Sequence, residues 1–83
     1  FLNLKTSGKF MYYRIFKHKI TIEETQVETY GINIYEYNVI VKKLYDVSTD
    51  YEALTRLVES LNKNDIDIVH IDSILEDFYL DNV

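Results

Sequence analysis

Hydrophobic residues in this chain change their spacing once, near residue 50, and that change limits the folds open to it. Over residues 11–47 they follow the alternation of β-strands. Over residues 51–79 they recur every three or four positions, as on one side of a helix. Strands therefore come first and helices second. This segregated β-β-β-α-α order predicts an α+β domain: a three-stranded antiparallel meander followed by two amphipathic helices packed on one sheet face. With 83 residues there is material for one domain and one modest core.

The first strand is MYYRIFKHKITI, residues 11–22. Tyr12, Phe16, Ile20 and Ile22 share one parity, interrupted by Arg14 and His18, while Met11, Tyr13 and Ile15 share the other, so both faces carry apolar groups. The polar run EETQVE (23–28) reads as a connection. In the second strand, TYGINIYEY, Tyr30, Ile32 and Ile34 make one apolar face, and Gly31 suggests a bulge or a close backbone approach. The third strand, VIVKKLYDV (39–47), follows a hairpin around Tyr37 and Asn38. Residues 1–10 read as a flexible leader, native or left over from expression, ahead of a single domain over 11–83, with Met11 a candidate natural start.

In STDYEALTRLVESLN, Tyr51, Leu54, Leu57, Val58 and Leu61 form one stripe, and Leu57 is the residue this reading puts in the core. Thr49 with Glu52 makes a capping box, and Asn62 is a candidate left-handed stop. Asp67 is the expected cap of the second helix, whose stripe is Ile68, Ile71, Ile74, Leu75, Phe78 and Tyr79.

That second helix holds the densest group of titratable residues, His70, Asp72, Glu76 and Asp77. His70 and Asp77 lie at nearly the same angle but two turns apart, about 10.5 Å along the axis, so they cannot form an acid–base dyad within the helix. Asp72 and Glu76 share a face, but two carboxylates without a third ligand are a poor cation cage. The preferred reading is structural, with His70 near the helix start and the acids facing water. A small hydrolytic or metal-dependent enzyme using His70 with Asp72, Glu76 or Asp77 is the alternative. No phosphate loop, nucleophile elbow or paired-histidine zinc motif is present, and no cofactor is implied.

The stretch YYRIFKHK interleaves aromatic and basic residues, as nucleic-acid-binding sheets do, with Arg14, Lys17 and Lys19 as the cations. Its aromatics fall on both parities, and the net charge of −5 works against phosphate affinity. The charge is uneven: Lys5, Lys9, Arg14, Lys17 and Lys19 precede the first acid, and all 14 acids follow. Such a bipolar chain suits mutual compensation on folding, or self-association. Eight tyrosines and four phenylalanines exceed what one small core needs, and exposed aromatics mark association surfaces. Tyr12, Tyr13 and Arg14 are therefore candidate interaction residues beside the His70 group. The absence of cysteine favours a reducing compartment, and no apolar stretch reaches membrane-spanning length, so a cytoplasmic protein is expected.

The segments TYGI (29–32), DVSTD (46–50), LVESLN (57–62) and VHIDSILEDF (69–78) stand in an order and spacing that resembles a family of short bacterial proteins of unknown function, found mostly in Gram-positive spore-formers. The resemblance spans roughly residues 12–80. Leu61 departs from the family, which often has cysteine there, and Lys63 and Asn64 lengthen the following turn. It implies a cytoplasmic bacterial domain and carries over no catalytic residue. The expected function is a non-catalytic protein-interaction or regulatory module, with a protein partner or a homodimer as its assembly.

Overall fold

The structure, a computed structural model, describes residues 11–81. The elements are β1 (Met11–Ile22), β2 (Thr25–Glu36), β3 (Val39–Ser48), α1 (Tyr51–Lys63), a 3-10 turn (Ile68–His70) and α2 (Ile71–Asp81). The strands form one antiparallel sheet in the order β1-β2-β3, and the helices cover one of its faces. The α+β meander expected from the spacing is the fold. The leader expected over residues 1–10 lies outside the described residues.

Both hairpins close through two residues in the left-handed region, Glu23 and Glu24 (φ 50° and 68°) and Tyr37 and Asn38 (φ 53° and 66°). Paired positive φ values match the twist of the flanking strands, which is why such short turns adopt them even without glycine. The connection expected over residues 23–28 is thus only two residues long. Thr25, Gln26, Val27 and Glu28 pair with Ile22, Thr21, Ile20 and Lys19. This end of the hairpin runs beyond β3, whose last partner pair is Tyr30 with Ser48. With solvent on both faces, it lacks the apolar alternation that marks a strand.

β3 is irregular. Val41 is an extra residue between the pairs Ile34–Lys42 and Tyr35–Ile40, and Gly31 faces the three-residue step Tyr45–Asp46–Val47, where Asp46 takes φ 51°. Gly31 is required here by space. A Cβ would overlap the Leu44 carbonyl oxygen and lie 2.7 Å from the Phe16 ring. The close backbone approach suggested by a glycine inside a strand is present.

The core joins Tyr13 of β1 and Ile32 and Ile34 of β2 to Leu54, Val58 and Leu61 of α1 and Ile71, Leu75 and Phe78 of α2. Within α1 the stripe is centred on Leu54, fully buried, with Leu57 only half-buried and Tyr51 exposed. The cap is Asp50, whose side chain accepts from the Ala53 N–H at 3.1 Å, and not Thr49 as the capping-box pattern suggested. Asn62 does not end the helix: α1 runs on through Lys63, and the left-handed residue beyond it is Asp65 (φ 50°). Asp67 does cap the next segment, accepting from the Val69 N–H at 3.1 Å, although the first turn there is 3-10.

Asn62 fastens the two layers together. Its Oδ1 accepts from the Tyr13 N–H at 2.8 Å and its Nδ2 donates to the Tyr13 carbonyl at 2.9 Å. The carboxamide thus pairs with the outer edge of β1 as a neighbouring strand would. The Tyr13 hydroxyl donates to the Ile66 carbonyl at 2.6 Å, so one residue ties β1 to both the end of α1 and the inter-helix loop.

Candidate functional site

Parity sorts the β1 side chains. Tyr13 and Ile15 face the helices, whereas Tyr12, Arg14, Phe16 and His18 face away, towards the side the described helices leave open. Cross-strand partners on that open face include Tyr35, Asn33 and Thr29 of β2, and Lys43 and Tyr45 of β3 join them. The Tyr12 and Tyr35 rings stack at 4.7 Å between centroids, 4° from parallel, and the Tyr12 hydroxyl donates to Asn38 Oδ1 at 3.1 Å. Phe16 lies over Gly31, stacks with His18 at 5.1 Å and meets the Tyr45 edge at 5.4 Å. The Lys43 ammonium sits 4.0 Å from the Phe16 centroid and donates to Asn33 Oδ1 at 2.9 Å.

His18 has a structural task in this cluster. Its Nε2 accepts from the Asp46 N–H at 2.8 Å, so that nitrogen carries no proton and the ring hydrogen is on Nδ1. The Thr29 hydroxyl, fully buried, donates to the Asp46 carboxylate at 2.8 Å. Together His18 and Thr29 hold the β3 bulge against the sheet. They do not form a nucleophile and base: the His18 acceptor is spent on a backbone N–H, and the Thr29 oxygen has no access to a substrate.

The other titratable group is dispersed. His70, Asp72, Glu76 and Asp77 are all exposed, and no set of three histidine, aspartate or glutamate residues among the described residues is placed to hold a metal ion. Arg14, Lys17 and Lys19 do not share a face either, since Arg14 stands on the open side and the two lysines on the other parity. The aromatic rings that a nucleobase would stack on are engaged with one another and with Lys43. Of the candidates Tyr12, Tyr13 and Arg14, the first and third are on the open face, and Tyr13 is core.

Electrostatics follow the layers. The helical layer and its loops carry Glu52, Glu59, Asp65, Asp67, Asp72, Glu76, Asp77 and Asp81, whereas the open face shows Arg14 and Lys43 with only Asp46 at its rim. Burial, reinforced by the Asp67 charge, raises the Tyr13 phenol above its ordinary range. Burial and, second, Asp46 do the same for Tyr79. Lys17 and Glu28 pair at 3.8 Å, but both are well exposed and the bridge adds little.

The alternate-residue pattern Tyr12, Arg14, Phe16, His18 was visible in the sequence as a parity. The bond from His18 to Asp46 was not, because 28 residues separate them. No signal pointed to the bonds between Asn62 and the Tyr13 backbone.

No helix among the described residues is long and apolar enough to cross a membrane. No curated protein and no solved structure matches the chain. A family model does match, over residues 3–81: the chain belongs to the family of unknown function DUF6514.

Proposed function

We propose that this protein is a non-catalytic interaction module that meets a protein partner through the open sheet face. The observation that carries this reading is the apolar and aromatic surface left in solvent there. Tyr45 is 60% exposed, Ile22 51% and Ile40 44%, on a face whose cations are Arg14 and Lys43. Such a patch, apolar and aromatic with two cations among its side chains, suits a partner surface that is acidic and partly apolar.

A photo-crosslinking side chain at Tyr45, in cells, tests the reading against the same side chain at Glu76 on α2. Adducts formed from the Tyr45 position and absent from the Glu76 position are expected. An adduct of twice the chain mass identifies a second copy as the partner. Equal labelling from both positions, or none from Tyr45, refutes the proposal.

A further inference from the structure

We infer that the outer edge of β1 is a second binding surface, which takes an extended segment of another protein as a fourth strand. Its preferred occupant alternates acidic and apolar side chains. This rests on the reading of the protein as an interaction module, but uses the strand edge, which shares only Arg14 with the open-face patch.

The main chain supplies the first reason. The Tyr13 N–H and C=O turn away from β2, because both are bound by the Asn62 carboxamide. In an antiparallel ladder the residues two and four positions on turn the same way. Ile15 and Lys17 therefore direct their N–H and C=O outward, and neither group has a partner among the described residues. Asn62 occupies the place of one peptide unit of a fourth strand, and the next two places along the edge are open among the described residues.

The groove beside that edge supplies the second. A cleft of about 520 Å³ lies between β1 and α1, lined by Ile15, Tyr51, Thr55 and Glu59 among others. It continues past Ile15 and Tyr51 into a recess of about 310 Å³ bounded also by Lys17 and Tyr30. An added strand would send alternate side chains into this cleft, where Ile15, Tyr30 and Tyr51 offer apolar contact. Its other side chains would lie beside Arg14. The opposite edge of the sheet is unsuited to this, since β3 is bulged at Val41 and again at Asp46 and carries Lys42 and Lys43, features that discourage strand addition. β1 pairs without a break over its 12 residues.

Charge selects the occupant. The charged residues of β1 are Arg14, Lys17 and Lys19, all positive. Glu59 is the one acid lining the cleft, at its Asn62 end, and Glu28 balances Lys17 only across an exposed 3.8 Å contact. Pairing two copies edge to edge about Lys17 would set that lysine against itself, and like charges directly opposite weaken a strand pair. An acidic strand meets no such penalty.

The test is a titration of the isotope-labelled full chain, followed by amide NMR, with a short synthetic peptide alternating glutamate and valine. One control replaces glutamate with lysine, and a second methylates alternate backbone nitrogens. Saturable shifts at the Ile15 and Lys17 amides are expected with the acidic peptide alone. Lys17→Pro deletes an outward N–H and leaves the β1–β2 ladder intact, and should weaken binding roughly three- to tenfold. Arg14→Glu should reverse the preference between the acidic and basic peptides. Equal response to both peptides, shifts confined to the surface around Tyr45, or no shift at millimolar peptide overturns the inference. So does a dimer abolished by Lys17→Pro, because the occupant would then be a second copy. These readouts are independent of crosslinking at Tyr45, so either surface can fail without the other.

Discussion

Replacing Asn62 with alanine should loosen β1 from α1 at one identifiable point. The carboxamide makes two hydrogen bonds, at 2.8 and 2.9 Å, to the Tyr13 backbone, 49 residues away in the chain. Each such bond contributes about 1 kcal/mol net, so the pair is worth about 2 kcal/mol. Asn62 itself is exposed, so water can reach the freed Tyr13 groups, and the expected loss falls to about 1–2 kcal/mol. In a domain this small each kcal/mol lowers the melting temperature by about 4–8 °C. Asn62→Asp is the sharper variant at neutral pH. It keeps an acceptor for the Tyr13 N–H but sets a carboxylate against the Tyr13 carbonyl, and should cost more than alanine does. Urea denaturation measures the loss, and hydrogen exchange locates it: the Tyr13 amide should lose protection while that of Leu54, inside α1, exchanges only as global stability dictates. An Asn62→Ala protein with unchanged stability and an unchanged Tyr13 exchange rate would refute the idea that this side chain stands in for a strand.

Three further outcomes follow from the packing. Gly31→Ala should destabilise by about 1–3 kcal/mol or more, because the new methyl meets the Leu44 carbonyl as well as the Phe16 ring; adding Phe16→Ala should relieve only part of the loss, and full rescue in thermal melts would contradict the backbone clash. Leu54→Ala should cost about 2–5 kcal/mol and Leu57→Ala distinctly less, since the first is fully buried and the second half-buried; equal denaturation midpoints for the two variants would contradict this ranking. Stability should also fall in alkali. The unfolded Tyr13 phenol ionises near its ordinary 10.0, whereas the folded one holds its proton to higher pH. Its contribution is therefore complete below the unfolded value and is lost as pH rises through the folded value. Tyr13→Phe should begin less stable, having left the Ile66 carbonyl without its donor, and should show a shallower decline as pH rises above about 10; equal slopes would exclude Tyr13 as the source.

Much of the architecture was legible because it is written in local spacing. The bounds of β1, the Tyr37–Asn38 hairpin, the start of β3 and the two helical stripes all depend on residues within a few positions of one another. Errors arose where a local pattern admitted two readings. Thr49 and Asp50 are both good caps, and the outcome depended on how the chain leaves β3: the Asp50 N–H donates to Ser48 Oγ, which orients Asp50 to accept from Ala53. Residues 25–28 were misread because a strand with water on both faces needs no apolar alternation, only a partner strand, and the partner is set by the turn.

The amino-acid order alone determined that strands precede helices and that β1 carries apolar groups on both faces. Each of these follows from the pitch of a strand or a helix. Only the tertiary structure decided which face of β1 the helices would cover, that His18 would serve Asp46 and that Asn62 would serve Tyr13. These contacts span 28 and 49 residues, and their partners are backbone groups that every residue has, so no side-chain pattern announces them. The candidate binding surfaces depend on that same long-range choice, since a face is open and an edge unpaired only once the rest of the chain has been placed.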